Sequence, residues 1–512
     1  MNNIYTDLFR QSKKLKGVKT MQNDSRLTNA QIVKYCMYGL TSFAAMMPAF
    51  MYYRMFMQVN LGVPAAVLSV LVLIGTGTDF VFSIIAAPIV EKNSGGNKGK
   101  YRWWFTFMPY VMLAGAIITF AAPSSIGSPV VKGLICILGY ILICGSVSIL
   151  GIANSGIMQA MAGPSMTDRN RMSIMGARMM AAATIITSAT ILPLKTAIFN
   201  ATGNEQLGYL AASAIFGLTI LIGARCTLSV SKPYDLPRPK LSEAEKAAVG
   251  NGVSVADMFK SVATNSQLLV LILVYSVYNF GFNFAAGFEM YFFQFWKTPE
   301  TFTSVYTIHQ LARSIASLVG AFVGPQIGMK LGKKKALATG LGLWGVGLVG
   351  VYFVCKGNSP WYIFTAFSCI NSVAMNVFSG FGINYFLDCG EYGYYKTGQD
   401  NRTVAMAMFN IPMKIATMFA GSLSAVALGA IGFDAVTLTA ASGDFVGAVA
   451  AFTDAIKGPF MFWFSLFPAI TMFIAAALVL FCYKITDEDA AMYAKANAER
   501  AMAQMAAPAE EA

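Results

Sequence analysis

The chain has 512 residues, 56% of them hydrophobic and only 12% charged, with a formal net charge of +13. A soluble globular domain carries about 25% charged residues, so this composition excludes an ordinary soluble protein. Apolar runs of about 20 residues recur throughout, and they lack the alternation a membrane barrel requires, which leaves transmembrane helices.

In chain order, segment 1–30 is polar and basic, with Lys13, Lys14, Lys16 and Lys19. It has no apolar core or small-residue cleavage site, so the first span is expected to serve as an uncleaved insertion signal. Twelve spans follow, at 32–57, 65–90, 103–123, 131–160, 173–199, 208–230, 265–293, 303–330, 336–355, 360–387, 403–431 and 458–483. Arg and Lys gather in every second loop: Lys92 to Arg102, Arg169 and Arg171, Lys232 to Lys246, Lys330 to Lys335, then Lys396 and Arg402. By the positive-inside rule both termini are cytoplasmic and the protein is multi-pass in the cytoplasmic membrane. Charge dispersed in this way faces anionic lipid, so the partner is the bilayer and not nucleic acid. Residues 434–457 form a long external loop with helical patches, and the Ala-rich tail from Thr486 reads as a short exposed helix; neither suggests a function.

Several classes of activity fall away. Eight cysteines are scattered without a C-x-x-C, so neither disulfides nor a metal site is expected. One histidine and no clustered acids or nucleophile give no enzyme constellation, and no cofactor is implied. No phosphate-binding G-x-x-x-x-G-K-[ST] occurs, which excludes ATP drive by this chain alone. No loop resembles a selectivity filter.

The chain repeats itself at long period. "APIVEKNSGGNKGKYRW" after span two and "GPQIGMKLGKKKAL" after span eight each carry a proline, Pro88 or Pro325, and then a Gly-Lys turn. "TDRNR" before span five is matched by "GQDNR" before span eleven, at an offset of about 230 to 240 residues. The expected organisation is a tail at 1–30, a six-helix bundle at 31–230, a proline-bearing linker at 231–262, a second bundle at 263–484 and a tail at 485–512. Two parallel six-helix repeats are the major facilitator arrangement of secondary transporters, with solute and ions bound near the midplane.

Specific motifs strengthen this reading. "LDCGEYGYYKTG" (Leu387–Gly398) resembles the D-x-x-D/E-Y-G-x-x-K-T-G signature of the glycoside–pentoside–hexuronide:cation symporters, the melibiose-permease-like family. "NKGKYRWW", "DRNRMSIMGARMM" and "FNIPMKIATMFAG" are similar to further motifs of that family. The resemblance implies a transporter importing a sugar, glycoside or hexuronide by alternating access, coupled to Na+ or H+. It aligns Arg178 with a substrate-recognising arginine, Lys414 with a family lysine, and Asp79 with the first acid of W-D-x-x-N-D-P. In that pattern two acids and an asparagine surround a small cation on one helix face. Here Phe82 and Ser83 stand at the asparagine and second-acid positions, and spans one and four lack the family's acids. Sodium, a proton or no coupling ion therefore all remain open, as does a uniporter or proton-coupled carrier of a non-sugar solute.

The residues themselves point to the same places. An aspartate in mid-membrane costs about 2.5–3.5 kcal/mol, so Asp79 either lines a pathway or is paired for packing. Asp79 with Ser83 is the candidate cation site, and Lys414 the candidate coupling partner and counter-charge of Asp79. Arg178, Tyr278, Asn279, Asn283 and Asn410 are the candidate solute ligands, offering an aromatic face, amides and a planar donor fork; interhelical packing is the alternative for the span-seven set. His309 and Arg313 lie one turn apart in span eight, with Glu289 as a possible acid, and Arg54 is placed to snorkel. Glu91, Lys100 and Arg102 in one half, and Asp388, Glu391, Lys396 and Arg402 in the other, form a candidate cytoplasmic gate of ion pairs across the bundles. A monomer is expected.

Overall fold

A computed structural model describes residues 26–92, 98–123, 125–163, 165–236, 262–398 and 402–506. Segment 1–25, much of the 231–262 linker and the end of the C-terminal tail lie outside the described residues. The first half contains α1 (Asn29–Met55), α2 (Ala65–Lys92), α3 (Arg102–Ile118), α4 (Pro129–Ala162), α5 (Met166–Thr202) and α6 (Glu205–Ser231). The second contains α7 (Ser266–Tyr291), α8 (Phe302–Leu331), α9 (Lys333–Cys355), α10 (Trp361–Ser379), α11 (Gly382–Thr397), α12 (Arg402–Ala407) and α13 (Ile411–Ala430). After it come α14 (Asp434–Ala441), α15 (Phe445–Ala451), α16 (Asp454–Met461), α17 (Phe467–Phe481) and the tail helix α18 (Asp487–Ala506).

Helix covers all twelve expected spans. Among the described residues nine helices are long and apolar enough to cross a membrane. The remaining three spans are α1, α3 and α8: α3 has 17 residues, and the other two carry more polar side chains. Starts are fixed locally by side chains that accept otherwise orphaned amides: Thr28 and Gln31 form a capping box on α1, while Asn204 and Asn265 cap α6 and α7.

Two expected spans are not continuous. Span ten breaks between α10 and α11 at Gly380 and Phe381, where glycine is a poor helix former. Span eleven passes through a 3-10 turn at Met408–Asn410, and Pro412, lacking an amide hydrogen, opens α13. Wider π turns follow α1 (Phe56–Asn60) and α7 (Phe292–Lys297), with Gln58 and Gln294 buried at matching positions.

Packing repeats as well. In the first half α1 packs on α5 and α6, α2 on α4, and α3 on α4 and α6. The second half has the counterpart of each: α7 on α13 and α17, α8 on α10, and α9 on α10 and α17. The halves meet along two seams, α2 with α13 and α5 with α8, which are each other's images under the repeat.

A pair of aspartates extends the symmetry. Asp235, just after α6, accepts the amides of Tyr101 and Arg102 at 2.8 Å each, capping α3 from across its bundle. Asp487, after α17, accepts the amide of Lys333 at 3.0 Å and caps α9. Each carboxylate approaches a glycine with positive φ, Gly99 at 90° or Gly332 at 80°, and a β-carbon at either would come within 2.8 Å of the capping oxygen. Removing such a cap costs about 0.5–2 kcal/mol. Asp235→Ala is therefore expected to lower the unfolding temperature measurably in a thermal melt, and Asp235→Asn, which keeps one acceptor, to recover part of the loss. Equal melts for all three proteins would refute the assignment.

Candidate functional site

The seams close at one end only. Arg171, Lys333, Lys396, Arg402 and the described chain ends mark one face of the bundle, here termed the basic face. At the opposite face the halves are joined by hydrogen bonds. The Ala65 amide donates to Asp434 at 2.9 Å, the Thr196 and Thr303 hydroxyls meet at 2.9 Å, and Tyr291 donates to Gln58. Helix α14 packs on the π turn after α1 and α15 contacts the one after α7, so the segment that carries these two short helices covers this closure. Burial follows the same gradient. On α2 the buried residues run from Ala65 to Asp79, with only Ala86 and Val90 beyond; on α8 they run from Phe302 to His309, with only glycines beyond. Between the halves lies a cavity that opens toward the basic face.

Asp79 sits at the transition. It is 8% exposed, and Lys414 of α13 donates to its Oδ2 across the seam. The break ahead of α13 sets the register that brings Lys414 there, and Met418 lies 3.5 Å from a β-carbon position on Gly77, so the two helices approach closely. Ser83 does not complete a cage with Asp79: it is exposed, and its hydroxyl donates at 2.6 Å to the Phe80 carbonyl of its own helix. Phe82, at the position of the family asparagine, packs its ring against Gly145 of α4.

The expected solute ligands divide. Tyr278 is buried against Phe378 and Tyr275, and Asn279 donates to the Tyr275 carbonyl at 2.8 Å. Both pack within the second bundle and line neither of these two cavities. Asn283 does border one. Arg178 and Asn410 are exposed and line neither cavity. The gate residues pair within their own halves in this conformation. Lys100 donates to Glu91, Lys333 to Asp388, and Arg402 to Glu391 at 3.1 Å. Arg102 donates to the Lys98 carbonyl at 3.0 Å, and Lys396 lies 5.7 Å over the Tyr392 ring. Asn497 of α18 adds a 2.7 Å hydrogen bond to Glu391, tying the tail helix onto the signature segment.

The polar centre of the cavity lies instead between α7 and α8. Arg313 Nη1 donates to both oxygens of Glu289 at 2.7 Å. Gln310 donates to Glu289 at 3.2 Å and to the Tyr306 hydroxyl at 2.6 Å. His309 turns Nδ1 to Thr365 at 2.9 Å and holds Nε2 3.4 Å from Glu289. Two chambers of about 440 and 260 Å³ share Met51, Ala286, Glu289, Gln310 and Arg313. The larger is ringed by Ser188, Ser314, Ser317, Ser368, Asn371 and Ser372 between apolar walls, and the smaller reaches Arg54. Such a mixture of hydroxyls, amides and one tight ion pair suits a small hydrophilic solute. The sequence marked Glu289, His309 and Arg313 as a possible set. It did not mark Tyr306, Gln310 or the serines; for Tyr306, Gln310, Ser314 and Ser317 the only signal was their spacing along one face of α8, and Ser188, Ser368 and Ser372 come from α5 and α10.

Residues 35–487 match the sequence model of MFS/sugar transport proteins. The chain belongs to this family. The chain is similar to an uncharacterized symporter, YjmB, of Bacillus subtilis (strain 168), 24% identical over 435 residues, covering 83% of this chain and 86% of that protein. A putative 2,3-dihydroxypropane-1-sulfonate exporter of Escherichia coli (strain K12) is 23% identical over 232 residues, covering 45% and 48%. Two solved structures share the fold. The nucleoside transporter NupG has a TM-score of 0.56 at 13% identity, covering 89% of this chain and 100% of that one. A bacterial homologue of the human drug peptide transporters PepT1 and PepT2 has 0.62 at 12%, covering 91% and 99%. As an MFS/sugar transport protein the chain is a multi-pass membrane transporter.

Proposed function

We propose that the protein is a monomeric secondary transporter that takes up a small hydroxylated solute across the cytoplasmic membrane by alternating access, driven by a cation that binds Asp79. The observation that carries this is the Asp79–Lys414 pair, the ion pair between described residues that joins the two halves. By the positive-inside rule the basic face is cytoplasmic, so the cavity opens inward. A cation on Asp79 competes with the Lys414 ammonium, and its arrival frees α13 from α2 so that the seam can part. Two features favour a proton over sodium: Ser83 is turned away, and Phe82 fills the place where an amide ligand would stand. The serine and amide ring of the larger chamber favours a polyhydroxylated solute. Both coupling and solute class are tested by uptake of glucose and of glucuronate into proteoliposomes, under an inward proton gradient and under an inward sodium gradient. Accumulation that a protonophore collapses is the expected result. Accumulation only under sodium would overturn the choice of ion, and mere equilibration under both would make the protein a uniporter.

A further inference from the structure

Arg54 is a cation without an acid. It lies at the end of α1, partly buried between the halves, and its one hydrogen bond among the described residues runs from Nε to the Tyr53 hydroxyl at 3.1 Å. Its guanidinium presses on the second half: a β-carbon on Gly421 of α13 would come within 2.6 Å of Nη2, and one on Gly287 of α7 within 3.8 Å of Nη1. The Nη groups thus face the smaller chamber, where the carboxylate that shares the space, Glu289, is already held by Arg313 through both oxygens. Two arginines and one glutamate leave that chamber with an excess positive charge. Leaving a charge uncompensated away from water is costly, and a place on the wall of a chamber between the halves is not that of a side chain snorkelling to a lipid interface.

We infer that Arg54 binds the anionic group of the transported solute, a carboxylate or sulfonate, while the hydroxyls of the same solute meet Gln310, Asn283 and the serines of the adjoining chamber. This rests on the transport reading above and gives its solute a charge. The planar guanidinium offers two parallel donors to two oxygens of either group, and the missing side chain at Gly421 is what lets the guanidinium lie against α13. Arg54 shares the smaller chamber with Tyr291, whose hydroxyl donates to Gln58 in the closure, so an anion entering through that face meets this cation first.

The test is binding to the full-length purified protein of two matched pairs: glucuronate against glucose, and 2,3-dihydroxypropane-1-sulfonate against glycerol, with sodium chloride held constant. The wild type is expected to bind at least one anion about tenfold or more tighter than its neutral partner, the scale of a charge-assisted hydrogen bond. Arg54→Gln should erase that preference while leaving neutral binding in place, and Arg54→Lys should keep part of it; thermal unfolding of each variant verifies that it is folded. Which pair responds distinguishes carboxylate from sulfonate. Equal binding of anion and neutral partner, a preference that survives in Arg54→Gln, or no binding of either anion would each overturn the inference. Neutral sugar uptake without charge preference would overturn it alone and spare the transport reading. Charge-selective binding without flux in any gradient would do the reverse.

Discussion

Asp79→Asn is expected to abolish gradient-driven accumulation in proteoliposomes while leaving exchange of solute across the membrane. The substitution keeps shape and removes charge, so the Lys414 ammonium that now donates to Asp79 loses its counter-ion within the seam. Breaking a buried pair from one side costs about 3–5 kcal/mol; with the Lys414 side chain 26% exposed, water offsets some of this and the lower end applies. A drop in the unfolding temperature should accompany the loss of coupling. The double variant Asp79→Asn with Lys414→Gln separates the two effects. Neutralising both partners should restore the melt but not accumulation, because no acid remains for a driving cation. If the single variant accumulates solute like the wild type, the coupling role assigned to Asp79 is wrong.

The second large effect is expected at Glu289. Glu289→Gln removes the negative charge and one of the two oxygens that Arg313 holds, weakening the centre to which Gln310 also donates, and leaves two arginines around a chamber with no carboxylate. Transport rates should fall about a hundredfold, the scale of about 2.7 kcal/mol, because the wall between α7 and α8 loses the group that fixes its shape. Anion binding should not weaken, since both cations stay. That split, slow flux with intact or tighter binding, distinguishes an organising carboxylate from a solute ligand, whose loss would weaken binding instead. Glu289→Asp, with the charge kept on a shorter stem, should fall between. Wild-type uptake rates in Glu289→Gln would remove the α7–α8 cluster from the site.

Much of the fold was legible because membranes punctuate sequences strongly. Gly-Lys turns and prolines at Pro88 and Pro325 fixed the repeat, and all twelve expected spans are helical. The breaks in spans ten and eleven were encoded too, by Gly380 and Pro412, but hydropathy averages over such residues. Asp79 and Lys414 could be paired from sequence because each was an expensive charge in mid-span and a carboxylate needs a cation. Tyr278 and Asn279 show what spacing leaves open. Helical spacing says that residues share a face, yet the rotation of that face toward cavity or neighbour is set by packing, and α7 turns these two into its own bundle. The same ambiguity hid Arg54, whose place near a helix end suited an interface as well as a cavity. The caps at Asp235 and Asp487 left no pattern, since an aspartate reaching the start of a helix more than a hundred residues away has no period.

The hydrogen bonds at the closed face bear on the resting population of the transporter. Opening that face to the outside separates Asp434 from the Ala65 amide, Tyr291 from Gln58 and Thr196 from Thr303. At about 0.5–1.5 kcal/mol each, their loss sets the outward-facing form a few kcal/mol above the present one, a minority of the order of one molecule in a hundred. The deficit can be met on the other side of the membrane, where Glu91, Lys100, Asp388, Glu391 and Arg402 now choose partners within their own halves and can exchange them for partners across. The short helices α14 and α15 thus act as a weight on a two-state balance, and their contacts help set how often the empty carrier opens its closed face.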